Sequence, residues 1–277
     1  MESHGRDTIR ALHSRELPMN DVKRIQIDGK PIAEGRCPAI CAPLVASSPA
    51  ALADELAAVL AKGPDALEWR ADFFEHIEDT AAVVDMGRRI RERARTVPLI
   101  FTCRAEREGG QKIPRTAAGI ADLLEAVSRA RVADIVDCEL ANAPADIARV
   151  RAATRAAGVQ LILSHHDFVR TPARAALHAT LDAAERAGAD IAKLAAMPRD
   201  LDDVLVLLGV TLEASRRLSI PIIAMSMGAY GALSRMIGGV FGSALTFAVA
   251  QASSAPGQLP IEDLRAVLAI VRRSMGA

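Results

Sequence analysis

A-D-I-A-K-L-A-A-M-P, residues 189–198, reads as a buried β-strand interrupted by a single charge. Lysine is almost never buried without a partner, because stripping water from an ammonium is costly. Lys193 therefore either snorkels its amine out to a rim or points into a cavity where the amine has a chemical use. The choice between them depends on what surrounds the strand.

Outward from this stretch the same beat repeats. Apolar strand-like runs fall at 39–45, 66–73, 98–104, 134–140, 160–168, 190–197, 221–227 and 241–249, with Ala/Arg/Leu/Glu-rich helical spacing between them. Ser47-Ser48-Pro49 and Thr171-Pro172 supply helix starts, and Gly63, Gly158 and Gly188 stand where helix ends are expected. Strands that alternate with helices pair in parallel through right-handed crossovers. Eight such units predict an α/β chain closed into a (β/α)₈ barrel, the TIM-barrel architecture. The rival is a doubly wound open sheet, which calls for a glycine-rich phosphate turn after the first strand; P-L-V-A-S-S, residues 43–48, has none. Before the barrel, Val22–Ala33 predicts a β-hairpin turning at Asp28-Gly29. Residues 1–21 read as a mobile N-terminal extension and residues 22–277 as one catalytic barrel domain.

Composition narrows the function classes. The chain has 277 residues, 51% of them apolar, enough for a sizeable core. Lys+Arg and Asp+Glu are both 34, so no charge excess steers it to nucleic acid or to a membrane surface. The apolar run Ile237–Ala252 is glycine-interrupted and short for a bilayer, and the polar N-terminus carries no apolar signal core. The four cysteines, Cys37, Cys41, Cys103 and Cys138, form no C-x-x-C pair, which fits a reduced, cytoplasmic protein.

In a barrel the chemistry sits where strands end, and unusual polar residues cluster there. Glu68, Arg70 and Asp72 end the second strand, and Arg104, Glu106 and Glu108 follow the third. Asp137 and Glu139 lie in the fourth, His165, His166 and Asp167 end the fifth, and Met225 and Met227 close the seventh. Taken singly, each has an ordinary reading as a loop salt bridge or packing. Together they do not, because residues two apart on a strand share a face and a packed interior has no use for so many ionisable groups. If Lys193 faces that mouth, burial and neighbouring arginines favour the neutral, nucleophilic amine, which condenses with ketones to a Schiff base. His166, one strand away, is the expected proton carrier, with Asp137 expected to orient its imidazole. After the seventh strand, Arg235 in the glycine-punctuated segment 228–239 is a candidate grip for a carboxylate or phosphate. The segment Ala252–Gln258, hinged by Pro256-Gly257, has the makeup of a lid.

These motifs resemble type I 3-dehydroquinase, the Schiff-base dehydratase of the shikimate pathway. The matching segments are E-W-R-A-D-F, F-T-C-R-A-E-R-E-G-G, D-I-V-D-C-E-L, S-H-H-D-F-V-R-T-P, A-K-L-A-A-M-P, M-S-M-G, S-R-M-I-G-G-V-F-G-S and S-A-P-G-Q, in order from about Val22 to the C-terminus. The resemblance implies conversion of 3-dehydroquinate to 3-dehydroshikimate and water in a homodimer, with no cofactor or metal. It implies Lys193 as the condensing amine, His166 as acid and base, Glu108 beside that pair, and Asp137 behind the histidine. It also implies Glu68, Arg70 and Arg104 on substrate hydroxyls, Arg235 on the carboxylate, and Ser254 and Gln258 in the lid. Phe168, Met225 and Met227 are implied as apolar walls. Two positions depart from the pattern: Ala229-Tyr230 stands where Lys-Thr is common, and His165 precedes the expected base.

Three rivals remain at this level. A metal-dependent hydrolase using His165, His166, Asp137 and Glu139 lacks the H-x-H spacing that puts both imidazoles on one face. A class I aldolase also uses a barrel lysine but cleaves a carbon–carbon bond. A non-catalytic barrel that keeps the pocket only for binding would have no need of Lys193, His166 and Arg235 together.

Overall fold

The computed structural model describes Val22–Met275; the extension expected over residues 1–21 lies outside the described residues. A hairpin comes first, β1 (Gln26–Ile27) and β2 (Lys30–Pro31), turning at Asp28-Gly29 as expected, with both turn residues at positive φ. That conformation suits glycine and is tolerated by aspartate. The alternating units follow: β3 (Ala39–Leu44), α1 (Pro49–Ala61), β4 (Ala66–Arg70), α2 (Thr80–Ala94), β5 (Leu99–Thr102), α3 (Ala117–Ala130), β6 (Ile135–Glu139) and α4 (Pro144–Ala157). The second half continues with β7 (Gln160–Asp167), α5 (Arg174–Arg186), β8 (Ile191–Ala196), α6 (Leu201–Arg217), β9 (Ile222–Ser226), α7 (Gly228–Ile237), β10 (Leu245–Val249), β11 (Leu259–Pro260) and α8 (Ile261–Ser274).

Consecutive strands from β3 to β9 pair in parallel, and β10 returns to pair with β3. The remaining seam is narrow. Ile222 bridges Ser243, the Ala244 N–H donates to the Ile222 carbonyl at 2.8 Å, and the Ala224 N–H donates to Ser243 Oγ at 3.1 Å. The ring of eight strands is the expected barrel. β11 adds to β10 as a short ninth strand.

Strand alternation sorts the side chains into three levels. Outward-facing Leu67, Trp69, Phe101, Val136, Leu163 and Leu194 pack beneath the helices. Inside, Ala39, Ala66, Ile100, Ile135, Ile162, Ile191, Ile223 and Leu245 form an apolar floor. Two residues further along the strands come Glu68, Thr102, Asp137, Ser164 and Lys193, all buried. The hairpin closes the barrel from below: Ile25 and Ile32 join the floor, and the Ile32 N–H donates to the Ile25 carbonyl at 3.0 Å.

Boundaries differ from expectation where polar turns intervene. The second strand stops at Arg70 and passes into a 3₁₀ turn over Ala71–Phe73. The eighth begins at Leu245, because residues 238–243 hydrogen-bond among themselves in turns. Ser48 caps α1 through the Ala51 N–H. Thr171 caps nothing: its hydroxyl donates to the Met197 carbonyl at 3.2 Å, and α5 starts three residues later, at Arg174. Among the described residues no helix is long and apolar enough to cross a membrane.

Ile25 lies outside the barrel strands yet is 1% exposed. Ile25→Ala should therefore lower unfolding stability by about 2–5 kcal/mol, the cost of truncating a core side chain. Urea titration followed by fluorescence of Trp69, the sole tryptophan, measures it; a loss below about 1 kcal/mol would place the hairpin off the core.

Candidate active site

The pocket opens at the C-terminal ends of the strands. It is lined by Glu68, Arg70, Arg104, Glu108, His166, Phe168, Lys193, Met225, Met227, Arg235, Ser254 and Gln258, together with Gly109, Ala195, Phe247 and Ala255. Every residue that the family resemblance implied for the site is among them except Asp137, which stands at the level of Glu68 and Lys193 and reaches the pocket through Lys193 and Arg104.

Lys193 does not snorkel. Its side chain is 4% exposed, and Nζ lies 3.0 Å from Asp137 Oδ2 and 3.3 Å from Glu68 Oε1. The Phe247 ring centroid is 4.8 Å away. The sequence reading expected arginines around this amine; two carboxylates hold it instead, and they supply the partners that a buried ammonium requires. Thr102 Oγ1 donates to the same Glu68 Oε1 at 3.0 Å and helps fix that carboxylate.

Asp137 is more heavily committed. Arg104 Nη2 donates to it at 2.8 Å and Ser164 Oγ at 2.5 Å, in addition to the lysine. Burial alone would raise its pKa, but Arg104 and then Lys193 outweigh burial and hold the carboxyl well below its usual range. It is therefore an anion that aims Lys193. The expectation that it orients the imidazole is corrected: its hydrogen bonds go to Arg104, Ser164 and Lys193, and His166 sits two residues further up its strand.

Glu108 takes that place. It arrives over the mouth on the turn Glu106–Glu108, and its Oε2 lies 2.9 Å from His166 Nδ1 while also accepting the His166 backbone N–H at 3.1 Å. Burial pushes the Glu108 carboxyl up to about 8, with Glu139 adding to it. Burial, then Arg104 and Lys193, push the His166 imidazole well below its ordinary value. Nδ1 is thus committed to Glu108, leaving Nε2 as the nitrogen not engaged by it.

The arginines divide into two kinds. Arg70 is clamped in bidentate fashion by Asp72 at 2.7 and 2.8 Å, and Arg104 is held by Asp137, Glu139 and Ser164. Arg235 has no carboxylate among the described residues. It is 1% exposed, touches Met225 Sδ at 3.4 Å and the Pro256 carbonyl at 3.0 Å, and its buried Nε has no partner. Burial pushes it down to about 10. A dry guanidinium without a counter-charge is a site prepared for an anion.

The lid lies closed on this group. Ser254 donates its N–H to Gln258 Oε1 at 3.1 Å, and Gln258 Nε2 donates back to Ser254 Oγ at 3.1 Å. Arg70 Nη1 donates to the Ser254 carbonyl at 3.2 Å, and the Gly228 N–H to the Pro256 carbonyl at 3.3 Å. Gly257 makes the approach possible: it has φ +78°, and a Cβ there would sit 2.2 Å from the Gly228 carbonyl oxygen.

Two supporting carboxylates stood among the strand-end polar residues of the sequence reading without the role of holding the arginines, Glu139 figuring only as a ligand in the metal-hydrolase rival. Asp72 clamps Arg70 and also accepts the backbone N–H groups of Arg104 and Gln111 at 3.3 and 3.1 Å. Glu139 accepts Arg104 at 3.3 Å, the Ala105 N–H at 2.8 Å and Arg107 at 2.7 Å. The available signal was alternation, since each stands two residues from a residue that had been singled out.

Comparison with known proteins places the chain among its relatives. The model of the family described as type I 3-dehydroquinase matches residues 40–275. A 3-dehydroquinate dehydratase of Albidiferax ferrireducens is 50% identical over 93% of this chain and 98% of its own length. The crystal structure of 3-dehydroquinate dehydratase from Geobacillus kaustophilus superposes with TM-score 0.87 at 47% identity, covering 91% of this chain and 97% of that one. A type I 3-dehydroquinate dehydratase from Clostridium difficile, solved with covalently modified comenic acid, gives TM-score 0.86 at 35% identity over 91% and 99%.

The Glu108–His166 couple sets a pH expectation. With the imidazole depressed, lowering the pH should protonate it with a midpoint below 6.5, and Glu108 should add an inflection near pH 8 that disappears in Glu108→Gln. The His166 Cε1–H resonance in NMR reports both; a midpoint at or above 6.5 contradicts the buried, cation-flanked imidazole.

Proposed function

The chain belongs to the type I 3-dehydroquinase family and is a 3-dehydroquinate dehydratase of the shikimate pathway, and on that premise we propose that it works through a Schiff base on Lys193 with His166 as the proton carrier. The observation that carries this reading is the placement of the amine. It is sealed from water, aimed by Asp137 and Glu68, and shares one small pocket with an imidazole and an unmatched guanidinium.

The substrate is a cyclic hydroxy-ketone bearing a carboxylate. Its carboxylate takes the open donors of Arg235, in place of a counter-charge that the described residues do not supply. Glu68, Arg70 and Arg104 face the ring hydroxyls, and Phe168, Met225 and Met227 line the ring's apolar faces. Closure of Ser254 and Gln258 over the ring excludes water. Lys193 passes a proton to a neighbouring carboxylate and attacks the ketone carbon. The carbinolamine loses the ketone oxygen as water and leaves an iminium.

The iminium acidifies the adjacent C–H. His166 Nε2 takes that proton, with Glu108 holding the ring through Nδ1, and an enamine forms. The enamine then expels the hydroxyl on the next carbon, which leaves as water with the proton that His166 carries. Water hydrolyses the remaining iminium and frees both the enone and Lys193. One water is consumed and two are released, so the net change is loss of one water. No metal or organic cofactor enters any step. The same reading proposes a homodimer in the cytoplasm, with residues 22–277 as the catalytic barrel and residues 1–21 as an extension to it; the family resemblance supports the homodimer and the barrel, the cysteine pattern the location, and the polar composition the extension.

Sodium borohydride added with 3-dehydroquinate should reduce the iminium to a stable secondary amine, found by peptide mass spectrometry on Lys193. An unmodified Lys193, or full activity in Lys193→Ala, would overturn the proposal. In His166→Ala the adduct should still form while kcat falls by a factor on the order of 10² or more, the usual scale for a lost general acid–base group.

A further inference from the structure

The end of the barrel opposite the active site carries a second gathering of cations. A cleft of about 320 Å³ opens at the foot of the barrel, between the C-terminal end of α1, the starts of β3 and β4, and α8. Its floor is apolar, made by Ile40, Ala61 and Leu268. Its walls are Arg36, Lys62, Arg265 and Arg272, and Asp65 is the carboxylate that lines it.

That carboxylate is already occupied. Asp65 Oδ2 accepts the Ile40 N–H at 2.8 Å, and Oδ1 accepts Arg36 Nη2 at 3.2 Å. Arg36 is further paired with Glu34 at 2.6 Å, and Lys62 with Glu262 at 3.1 Å. Arg265 and Arg272 differ. Arg265 Nη2 donates to the Lys62 and Gly63 carbonyls at 2.8 and 2.7 Å, and Arg272 Nη2 donates to the Pro38 carbonyl at 3.3 Å. Among the described residues neither has a carboxylate within 4.0 Å, and Nε and Nη1 of both have no protein acceptor. They stand seven residues apart on one helix, so two full turns bring both forks to the same face with Leu268 between them. Burial, then the like charge of Arg36, lower the Arg272 guanidinium from its ordinary value, against a smaller pull from Asp65.

We propose that this cleft binds a phosphate-bearing anion, gripped by Arg265 and Arg272 and flanked by Lys62 and Arg36. Two guanidiniums without a salt-bridge partner among the described residues match a phosphate dianion, where a monocarboxylate would leave one charge over. Arg272, with one hydrogen of Nη2 spent, keeps a fork for a tetrahedral oxyanion, and Arg265 adds single donors at Nε and Nη1. The apolar strip of Ile40 and Leu268 accommodates the organic part of a phosphomonoester. None of these residues belongs to the active-site pocket, so binding here is separable from substrate binding.

Calorimetric titration of the full chain at low ionic strength with inorganic phosphate, and separately with glycerol phosphate, tests the site. Dissociation constants of millimolar or tighter are expected. The double variant Arg265→Gln/Arg272→Gln should weaken binding about tenfold or more with kcat unchanged, and Arg235→Gln should leave it unaltered. Tighter binding of the ester would identify an organic phosphate as the ligand, and equal or weaker binding would identify the free ion; either supports the site. If loss of kcat shows the double variant to be misfolded, Arg272→Lys keeps the charge without the fork and should still weaken binding about threefold or more. No binding to the unaltered protein at 10 mM, affinity untouched by Arg272→Lys, or binding abolished by Arg235→Gln and indifferent to the foot variants would each overturn the proposal.

Discussion

A lysine amine sealed between two carboxylates is the contact on which the rest of the structure depends. The interior that buries Lys193 must also bury Asp137 and Glu68, and a buried carboxylate needs its own donors. Asp137 finds them in Arg104 and Ser164, and Arg104 in turn requires Glu139. One unusual residue thus recruits a network spread over β4, β5, β6, β7 and β8. Removing one partner from such a buried set costs on the order of 3–5 kcal/mol, so the set holds its geometry. The amine is aimed because its neighbours have no alternative arrangement.

Against this satisfied network, Arg235 is the exception. It bears the same charge in an equally dry place, but no counter-ion comes from the described residues. The contrast separates structure from function: cations that position are paired, and the cation that receives is not. The lid follows the same logic, since its carbonyls rest on Arg70 and Arg235 and its closure depends on the missing side chain of Gly257. Below, the isoleucine floor and the hairpin keep water from reaching the amine from the other end.

Much of this was legible in the sequence. The eightfold beat of apolar runs gave the barrel, and a lysine in an apolar strand marked the pocket. Alternation correctly grouped Glu68 with Arg70, Asp137 with Glu139, and Met225 with Met227. Pairing across strands was not legible. Whether Asp137 or Glu108 meets His166 depends on the height at which each side chain enters, and a loop residue such as Glu108 has no height until the turn after β5 is known. The partners of Lys193 were misjudged for the same reason, because a count of nearby arginines does not say which oxygens stand between. Thr171 looked like a helix cap because threonine before proline usually is one; tertiary structure gave its hydroxyl the Met197 carbonyl instead.

The most direct measurement follows the ketone oxygen. An imine at Lys193 expels that oxygen as water and regains one from solvent, so 3-dehydroquinate labelled there with ¹⁸O should emerge from a single turnover in unlabelled water as product without the label. Product that retains its ¹⁸O, beyond an enzyme-free exchange control, would mean that the carbonyl was never opened and that the buried amine acts only as a charge.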